Sequence, residues 1–517
     1  MYVDEPQKDG NIPDFNISKI DICPFRAYQR SFRLFQSDFS KDIHQRSRLL
    51  CFTQNDHTGQ TGFKICPFLK WAHEMKPSIY NFVFDNGSNY LLYNAASDEI
   101  IVMGEELYKL YTENLNDIAN IQCHHPKFYD YLLSKGAIVD DSCSESDSVI
   151  ARWKANEVNA NTFTITINPT MDCNMSCWYC YEKRDVKTKM DQTVADSVLA
   201  LIKNICVSVN DYETILLSFF GGEPMLYFDE IVFPLIEKAL EICKANGKKL
   251  RTHFTTNGFL VSKERLEKMG KMSIPLSFQI TLDGNSAVHD KNKVVIGSDG
   301  TYQRTVSNIK VCLEMGALVI VRLNFTEASL PYFIDVLTDF SDVDVRLKEK
   351  MSFNFQRIWQ DSSTISDEDL RMQVRNMEKA FGDQGFKIAP YSSNTFGRCY
   401  ADMENSIVVN YDGNVFKCTA REFIPQNREG IICADGNIHW DNKHSDRKQI
   451  AYGSDNCQKC RVFPLCHGGC SQCKLESENG GKGCLKGLSA SEKLQLVQNR
   501  IQDILLLYNC QSKMKKV

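Results

Sequence analysis

Apolar positions along the chain change period twice, and the changes divide the sequence. Over residues 1–76 the periodicity is weak, which predicts an irregular N-terminal extension; Cys23, Cys51 and Cys66 fall there at spacings that match no metal motif. From Ile79 the pattern sharpens. Tyr80–Phe84 and Tyr90–Tyr93 read as paired strands around Asn86-Gly87, a dipeptide suited to a tight hairpin turn. Glu105 to Tyr111 predicts a helix. Lys127 to Lys135 predicts a second, ended by Gly136, and Ala137–Val139 a closing strand. Residues 77–150 thus read as a small α+β domain with a linker, the polar, acidic run DDSCSESD at Asp140 to Asp147.

From Thr162 the apolar segments become β-rich: Phe163–Ile167, Ile215–Phe220, Arg251–Thr255, Leu276–Leu282, Val319–Phe325 and Ser352–Ile358. Helical stripes lie between several of them. Val194, Val198, Leu201, Ile202 and Ile205 share one helical face, as do Val306, Ile309 and Leu313, with Gly316 placed to stop that helix. Six strands with intervening helices imply an α/β fold with a parallel sheet and right-handed crossovers, whose chemistry sits in loops at the C-terminal strand ends. Over 488–517 a closing helix is expected. Ser489 and Glu492 form a capping box, and Leu494, Val497, Ile501, Ile504, Leu505 and Tyr508 form the apolar stripe, before a basic tail.

A chain of 517 residues is too long for one ordinary core, so two or three domains are expected. Its net charge of −5 gives no support to a nucleic-acid partner. The opening MYVDEPQKDG has no basic start followed by an apolar run, and stretches such as Ile215 to Phe220 are far too short to span a bilayer. Cytoplasmic localisation without a membrane partner is the expectation. In that compartment 21 cysteines point to metal ligands rather than disulfides. Cys206, Cys243 and Cys312 lie within predicted helices and read as core.

Three of the cysteines lie just after the first strand, as Cys173-Asn-Met-Ser-Cys177-Trp-Tyr-Cys180. Three thiolates on one tight loop suit a four-iron cluster with one iron left open; structural zinc instead prefers closed four-ligand sites and paired two-residue spacings. The second strand ends in Phe220-Gly221-Gly222-Glu223-Pro224, where two glycines let a ligand approach the backbone closely. Cysteine density rises again between Cys399 and Cys484. Cys399 is followed by thirteen residues, then Gly413, four residues and Cys418; later come Cys457-x2-Cys460-x5-Cys466-x3-Cys470 and Cys484.

The CxxxCxxC loop after strand one resembles the signature of radical S-adenosylmethionine (SAM) enzymes, and the seven C-terminal cysteines are similar to the SPASM pattern of their peptide-modifying members. The resemblance runs from about Thr162 to Cys484. It implies a partial (β/α)6 TIM-like barrel over 151–385 and a SPASM auxiliary-cluster domain over 386–487. It also implies that a reduced cluster on Cys173, Cys177 and Cys180 cleaves S-adenosylmethionine to a 5′-deoxyadenosyl radical. By the same resemblance, Gly221, Gly222 and Glu223 contact the methionine amino group, and Thr256-Asn257-Gly258 puts Asn257 by the adenosine. Tyr179 offers backbone contacts to adenine. Thr281-Leu282-Asp283-Gly284, followed by His289-Asp290, matches the fourth-strand pattern, and Arg322 on the fifth strand pairs with the methionine carboxylate. Two auxiliary iron–sulfur clusters are implied, one on Cys399, Cys418 and Cys470, the other on Cys457, Cys460, Cys466 and Cys484. Three clusters in all need an electron donor such as flavodoxin or ferredoxin.

SPASM members mostly act on peptides or proteins. The resemblance therefore implies a peptide maturase that modifies or crosslinks side chains of a ribosomally made precursor, with 79–139 as a leader-recognition element. A sulfatase-maturating, formylglycine-forming enzyme is a second reading; that group carries an aspartate base after the second auxiliary cysteine, whereas here Cys418 is followed by Thr419-Ala420-Arg421. A non-catalytic, cluster-bearing scaffold is a third, weakened by the intact cysteines and GGE motif. No catalytic residue emerges. The interval from Tyr400 to Lys417 lacks the cysteine that often completes the first auxiliary cluster, although it holds Asp402, Glu404 and Asp412. A carboxylate, Cys433 or Cys473, or an open iron that coordinates a substrate thiolate are the three outcomes, and the missing family spacing favours the open iron.

Overall fold

A computed structural model describes residues 74–514, apart from 88, 159–160, 183, 209–211, 296, 390–397, 478–483 and 485–486. Cys23, Cys51 and Cys66 and nearly all of the expected extension lie outside the described residues. The chain forms two compact units, 1–143 and 144–517.

In the first unit the expected hairpin pairs Asn81–Asp85 with Tyr90–Asn94, with Val83 opposite Leu92. Gly87 takes a φ of +76° at the turn, where its N–H donates to Asp85 Oδ1 at 2.9 Å. A third strand, Glu99–Met103, adds to Tyr90–Asn94, and Ile118–His124 adds a helix between Glu105–Glu113 and Pro126–Ser134. The closing strand, Ile138–Asp140, pairs not with the hairpin but with Met75–Pro77, so residues assigned to the irregular extension belong to this unit. Leu92, Ile101, Met103, Ile121, Phe128 and Leu132 form its core.

The expected linker ends early. Helix Glu145–Val158 begins inside it, with the Ser144 carbonyl accepting from Ser148 N and with Glu145 and Asp147 in the first turn. Serine and acidic residues make good linkers, but they also make good helix N-termini.

All six expected strands of the second unit form: Thr162–Asn168, Thr214–Phe219, Lys249–Thr256, Leu276–Leu282, Leu318–Phe325 and Met351–Arg357. Each pairs in parallel with the next, the order of a partial (β/α)6 barrel. Phe219, Phe254 and Phe278 stack across three neighbouring strands at centroid separations of 5.0 and 5.2 Å. Helix Gln192–Cys206 starts at Asp191, whose carboxylate accepts from Val194 N, and buries Val198, Leu201, Ile202 and Ile205. Cys206, Cys243 and Cys312 are buried in the core, as their helical setting implies.

The expected boundary at 385/386 is not a break in the sheet. Lys387–Ala389 extends it beyond the sixth strand, and Ser406–Asn410 pairs in parallel with the first, placing Val408 opposite Thr166. Asn414–Phe416, Gly430–Ile432 and Ile438–Trp440 continue antiparallel, giving eleven strands in one sheet among the described residues. After Trp440 the chain runs in short helices, then in a long one, Ala490–Met514. Its start has the expected capping box: Glu492 N donates to Ser489 Oγ, and Ser489 N to Glu492 Oε2. Val497, Ile501 and Leu505 are buried and Leu494 is half-buried. No helix of the described residues is long and apolar enough to cross a membrane.

Candidate radical SAM site

The loop after the first strand is fixed before any ligand is considered. Asp172 accepts from Cys173 N at 2.8 Å and from Lys187 N at 2.9 Å, and Thr170 Oγ1 accepts from Asp172 N at 2.8 Å. The end of the second strand then presses onto this loop. Gly222 N donates to Thr170 O and Glu223 N to Asp172 O. A Cβ on Gly222 would stand 2.1 Å from Asp172 O, and one on Gly221, at φ +93°, 2.7 Å from Thr170 O. The glycine pair is required by this backbone-to-backbone approach, whatever else it binds.

Ser176–Cys177 pairs with Lys293–Val294, which sets Lys293 opposite Cys177. Lys293 Nζ lies 3.8 Å from Cys177 Sγ, Asn257 Nδ2 3.9 Å from Cys173 Sγ, and Cys180 Sγ 3.7 Å from Glu182 O. The three thiols open onto one cavity of about 580 Å³. Its wall also carries Tyr179, Gly221, Gly222, Asn257, Thr281 and Arg322, together with Tyr400, Met403, Thr419 and Ala420 from the C-terminal segment.

Glu223, expected among the cofactor contacts, is not part of that wall. It is fully buried, and its carboxylate accepts from Thr256 Oγ1 at 2.7 Å, Asn257 N at 2.8 Å and Met225 N at 3.0 Å. It clamps the second strand end to the third. Tyr179 lies in the wall, and Gln360 Nε2 donates to its backbone carbonyl at 2.9 Å. Its hydroxyl donates to both oxygens of Asp283 at 2.8 Å. Arg322 donates through Nε to Asn324 Oδ1 at 2.8 Å; burial lowers its pKa, and among the described residues no carboxylate reaches ion-pair distance. A buried guanidinium facing a cavity suits an incoming carboxylate.

Sequence reasoning missed the polar floor under the thiols. Asp283 is fully buried, and burial raises its pKa while Lys293 and Tyr179 oppose the rise. Lys293 is buried too; desolvation works against its charge, yet Tyr179, Asp283 and Cys177 hold its pKa above the usual value. Glu182, in the cavity wall, is pushed up to about 8 by burial. His289, singled out with Asp290, is buried and neutral, its pKa lowered to about 3 by burial and then by Lys293; its Nδ1 accepts from Asp283 N. Asp283 and His289 stand in the fourth-strand pattern, but their partner has no local signal: Lys293 meets Cys177 only through a two-residue strand pair 116 positions apart.

The thiols fit an iron–sulfur cluster better than a single ion. Burial, then Glu223, pushes Cys173 up to about 12, so its thiolate needs a cationic partner, which a metal centre supplies. A four-iron cube takes one thiolate per corner, so three thiols on one loop leave its fourth iron open, whereas a structural zinc prefers four closed ligands.

The C-terminal cysteines form two neighbourhoods. Cys399, Cys418 and Cys470 stand on turns that hydrogen-bond to one another. Cys457, Cys460 and Cys466 lie on consecutive short turns; Cys460 N donates to Cys457 O, and Cys457 Sγ is 3.8 Å from Gly468 O. A Cβ on Gly468 would stand 2.7 Å from Gly453 Cα, so these backbones touch around Cys457. Cys484 is exposed.

Residues 167–326 match the profile of the Radical SAM superfamily. An uncharacterised protein of Methanocaldococcus jannaschii is 29% identical over 146 residues, 28% of this chain and 42% of that protein. An uncharacterised protein of Synechocystis is 25% identical over 379 residues, 65% of this chain and 90% of that protein. The chain thus spans less than half of the first relative and most of the second. Among solved structures, native anSMEcpe with bound AdoMet and Cp18Cys peptide superposes with a TM-score of 0.50 at 17% identity, over 68% of this chain and 99% of that one, a likeness of fold. With the three-cysteine loop, the glycine pair and the cavity on parallel-strand ends all inside or beside the matched segment, the chain carries a radical SAM domain, whose chemistry rests on S-adenosylmethionine and a [4Fe–4S] cluster.

Proposed function

We propose that the chain is a radical SAM maturase of a peptide or protein substrate, with S-adenosylmethionine and three iron–sulfur clusters. One observation carries the reading: the cavity that opens onto Cys173, Cys177 and Cys180 is also walled by Tyr400 and Thr419, neighbours of Cys399 and Cys418. A radical formed in the barrel would act on a side chain held between the two cysteine groups. When bound, the cluster supplies an electron for reductive cleavage of S-adenosylmethionine. This chain's residues do the rest. Gly221 and Gly222 give backbone access, Arg322 offers a guanidinium to the carboxylate, and Asn257 and Thr281 face the cofactor. Glu223, Asp283 and Lys293 hold the floor rigid and dry. The second group, Cys457, Cys460, Cys466 and Cys484, would hold the outer cluster, reached by a donor such as flavodoxin or ferredoxin.

The first unit, with its three-stranded antiparallel sheet, suits recognition of an extended leader by strand addition. The sulfatase-type reading finds no base in its expected place: the residue after Cys418 is Thr419, whose N–H donates to the Tyr400 hydroxyl at 2.9 Å.

The test is anaerobic reconstitution, reduction, and incubation with S-adenosylmethionine and peptides translated from short reading frames beside the gene. Mass loss in one peptide, matched to 5′-deoxyadenosine, is expected. Cofactor cleavage without change in any such peptide, alongside formylglycine in a sulfatase peptide, would overturn the reading.

A further inference from the structure

The fourth ligand of the first auxiliary group can be sought among four candidates: a carboxylate between Tyr400 and Lys417, Cys433, Cys473, or none. The carboxylates are engaged elsewhere. Asp402 accepts from Ser471 Oγ and lies 3.7 Å from Arg447; Asp412 accepts from Asn410 and Asn414; Glu404 pairs with Lys448 Nζ at 2.9 Å. Cys433 is in the wrong place. It closes the hairpin between Gly430–Ile432 and Ile438–Trp440, accepting from Gly436 N, and Gly436 abuts the backbone of Ala200 and Leu201.

Cys473 is where a ligand is needed. Three cysteine-bearing turns are tied pairwise, each to both others. The turn of Cys399 meets that of Cys418 through Thr419 N, which donates to Tyr400 Oη. It meets that of Cys470 through Ser471 and Asp402. The turn of Cys418 meets that of Cys473 through Arg421, whose Nη2 donates to Cys473 Sγ at 3.5 Å while the same guanidinium grips Glu476. Cys470 is the N-cap of helix Ser471–Glu476, and Cys473 is its third residue, so both face one side of the first helical turn.

From this closed triangle of turns we infer that Cys473 is the fourth protein ligand of the first auxiliary cluster, beside Cys399, Cys418 and Cys470. The inference deepens the proposed function and rests on its reading of the C-terminal cysteines as cluster ligands. It replaces the open iron favoured by sequence spacing: with four thiolates the cluster has no vacant iron, so a substrate side chain does not bind it, and electron transfer is what it offers. Arg421, donating to the Cys473 sulfur, is a positioning residue for that ligand.

The test uses the full chain with Cys173→Ala, Cys177→Ala and Cys180→Ala, loaded with iron and sulfide, so that only auxiliary clusters are read. Adding 2-mercaptoethanol or a cysteine-containing peptide should leave the electron paramagnetic resonance spectrum of the reduced protein unchanged. Cys473→Ser should alter that spectrum and give a three-iron signal on mild oxidation, whereas Cys433→Ser should not. Without any substitution at 473, alkylation followed by mass spectrometry should find Cys473 at least ten-fold slower to react in loaded than in chelated protein. That measurement decides the matter if the serine variant fails to fold. Iron bound normally with Cys473 equally reactive in both states would overturn this inference alone. Failure of the triple variant to bind iron would overturn the cluster reading and the inference with it.

Discussion

The barrel around Cys173 and the segment around Cys399 to Cys484 belong to one compact unit and are held together by opposite means. The barrel rests on parallel strands and a continuous apolar core that includes Ile165, Phe219, Phe254, Phe278, Val321 and Phe353, all shut off from solvent. From Trp440 to Ser489 the buried apolar side chains among the described residues are Ala451, Val462, Phe463, Pro464 and Leu465. What is buried there instead is charged or polar: Arg447, His444, Ser471, Gln472 and Lys474, with Glu429 of the preceding strand turned onto Arg447. Arg447 alone donates to Glu429 at 2.7–3.0 Å and to Ser471 at 2.7 Å, and bonds Gln472. A dry apolar scaffold can present its thiols in position before a cluster arrives. A segment with so small a core would, on the proposed reading, lean on its clusters for stability.

The comparison can be broken in several places. The largest effect is expected at the loop: Cys177→Ala should take S-adenosylmethionine cleavage below detection while the barrel stays folded, whereas Cys466→Ala should spare cleavage better than it spares peptide modification. Equal retention of full activity in both would end the assignment of separate roles. Gly222→Ala should come close to Cys177→Ala, because its methyl would stand 2.1 Å from Asp172 O, nearer than any real contact; wild-type cofactor affinity in this variant would show that the loop yields.

Iron removal separates the regions next. Limited proteolysis of chelated protein should cut within 441–489 well before it cuts within 162–357, and reloading should restore protection. Simultaneous cleavage of both would mean that the two are equally metal-dependent. Arg447→Met should cost about 3–5 kcal/mol in the C-terminal segment, since it leaves the buried Glu429 without its guanidinium and with only His444 beside it. Denaturant unfolding followed by a probe in each region would sharpen the contrast, and a loss below about 1 kcal/mol would contradict it.

The most gradual effect concerns acid. Above about pH 6.5 His289 is neutral in folded and unfolded chains alike. As pH falls towards about 3 the unfolded chain binds a proton that the buried imidazole, beside Lys293, does not. Stability should fall across that window by at most about 1.4 kcal/mol per pH unit. His289→Asn should flatten the dependence; an unchanged slope would show that other groups set it.

Much of this was legible in the sequence because the signals are local. The six barrel strands are short β-rich runs, and the capping box at Ser489 and Glu492 is three residues long. The strand Glu99–Met103 was lost because EIIVM is apolar without alternation, and helix Glu145–Val158 because its N-terminus has the composition of a linker. Other features are long-range by nature. Ser406–Asn410 joins Thr162–Asn168 across some 240 positions, so a domain border expected near residue 386 falls inside one sheet. Lys293, Asp283 and Tyr179 form the floor of the site from three separate segments of the chain. Glu223 carries a family motif, yet its hydrogen bonds go to its own chain, which no motif can announce.

The most direct measurement is iron and sulfide per chain in the anaerobically reconstituted protein, beside the same count for the Cys173→Ala, Cys177→Ala, Cys180→Ala variant. Three four-iron clusters predict about twelve irons in the first and about eight in the second, with S-adenosylmethionine cleavage in the first alone. Equal iron in both, or zinc as the main metal in either, would contradict the account.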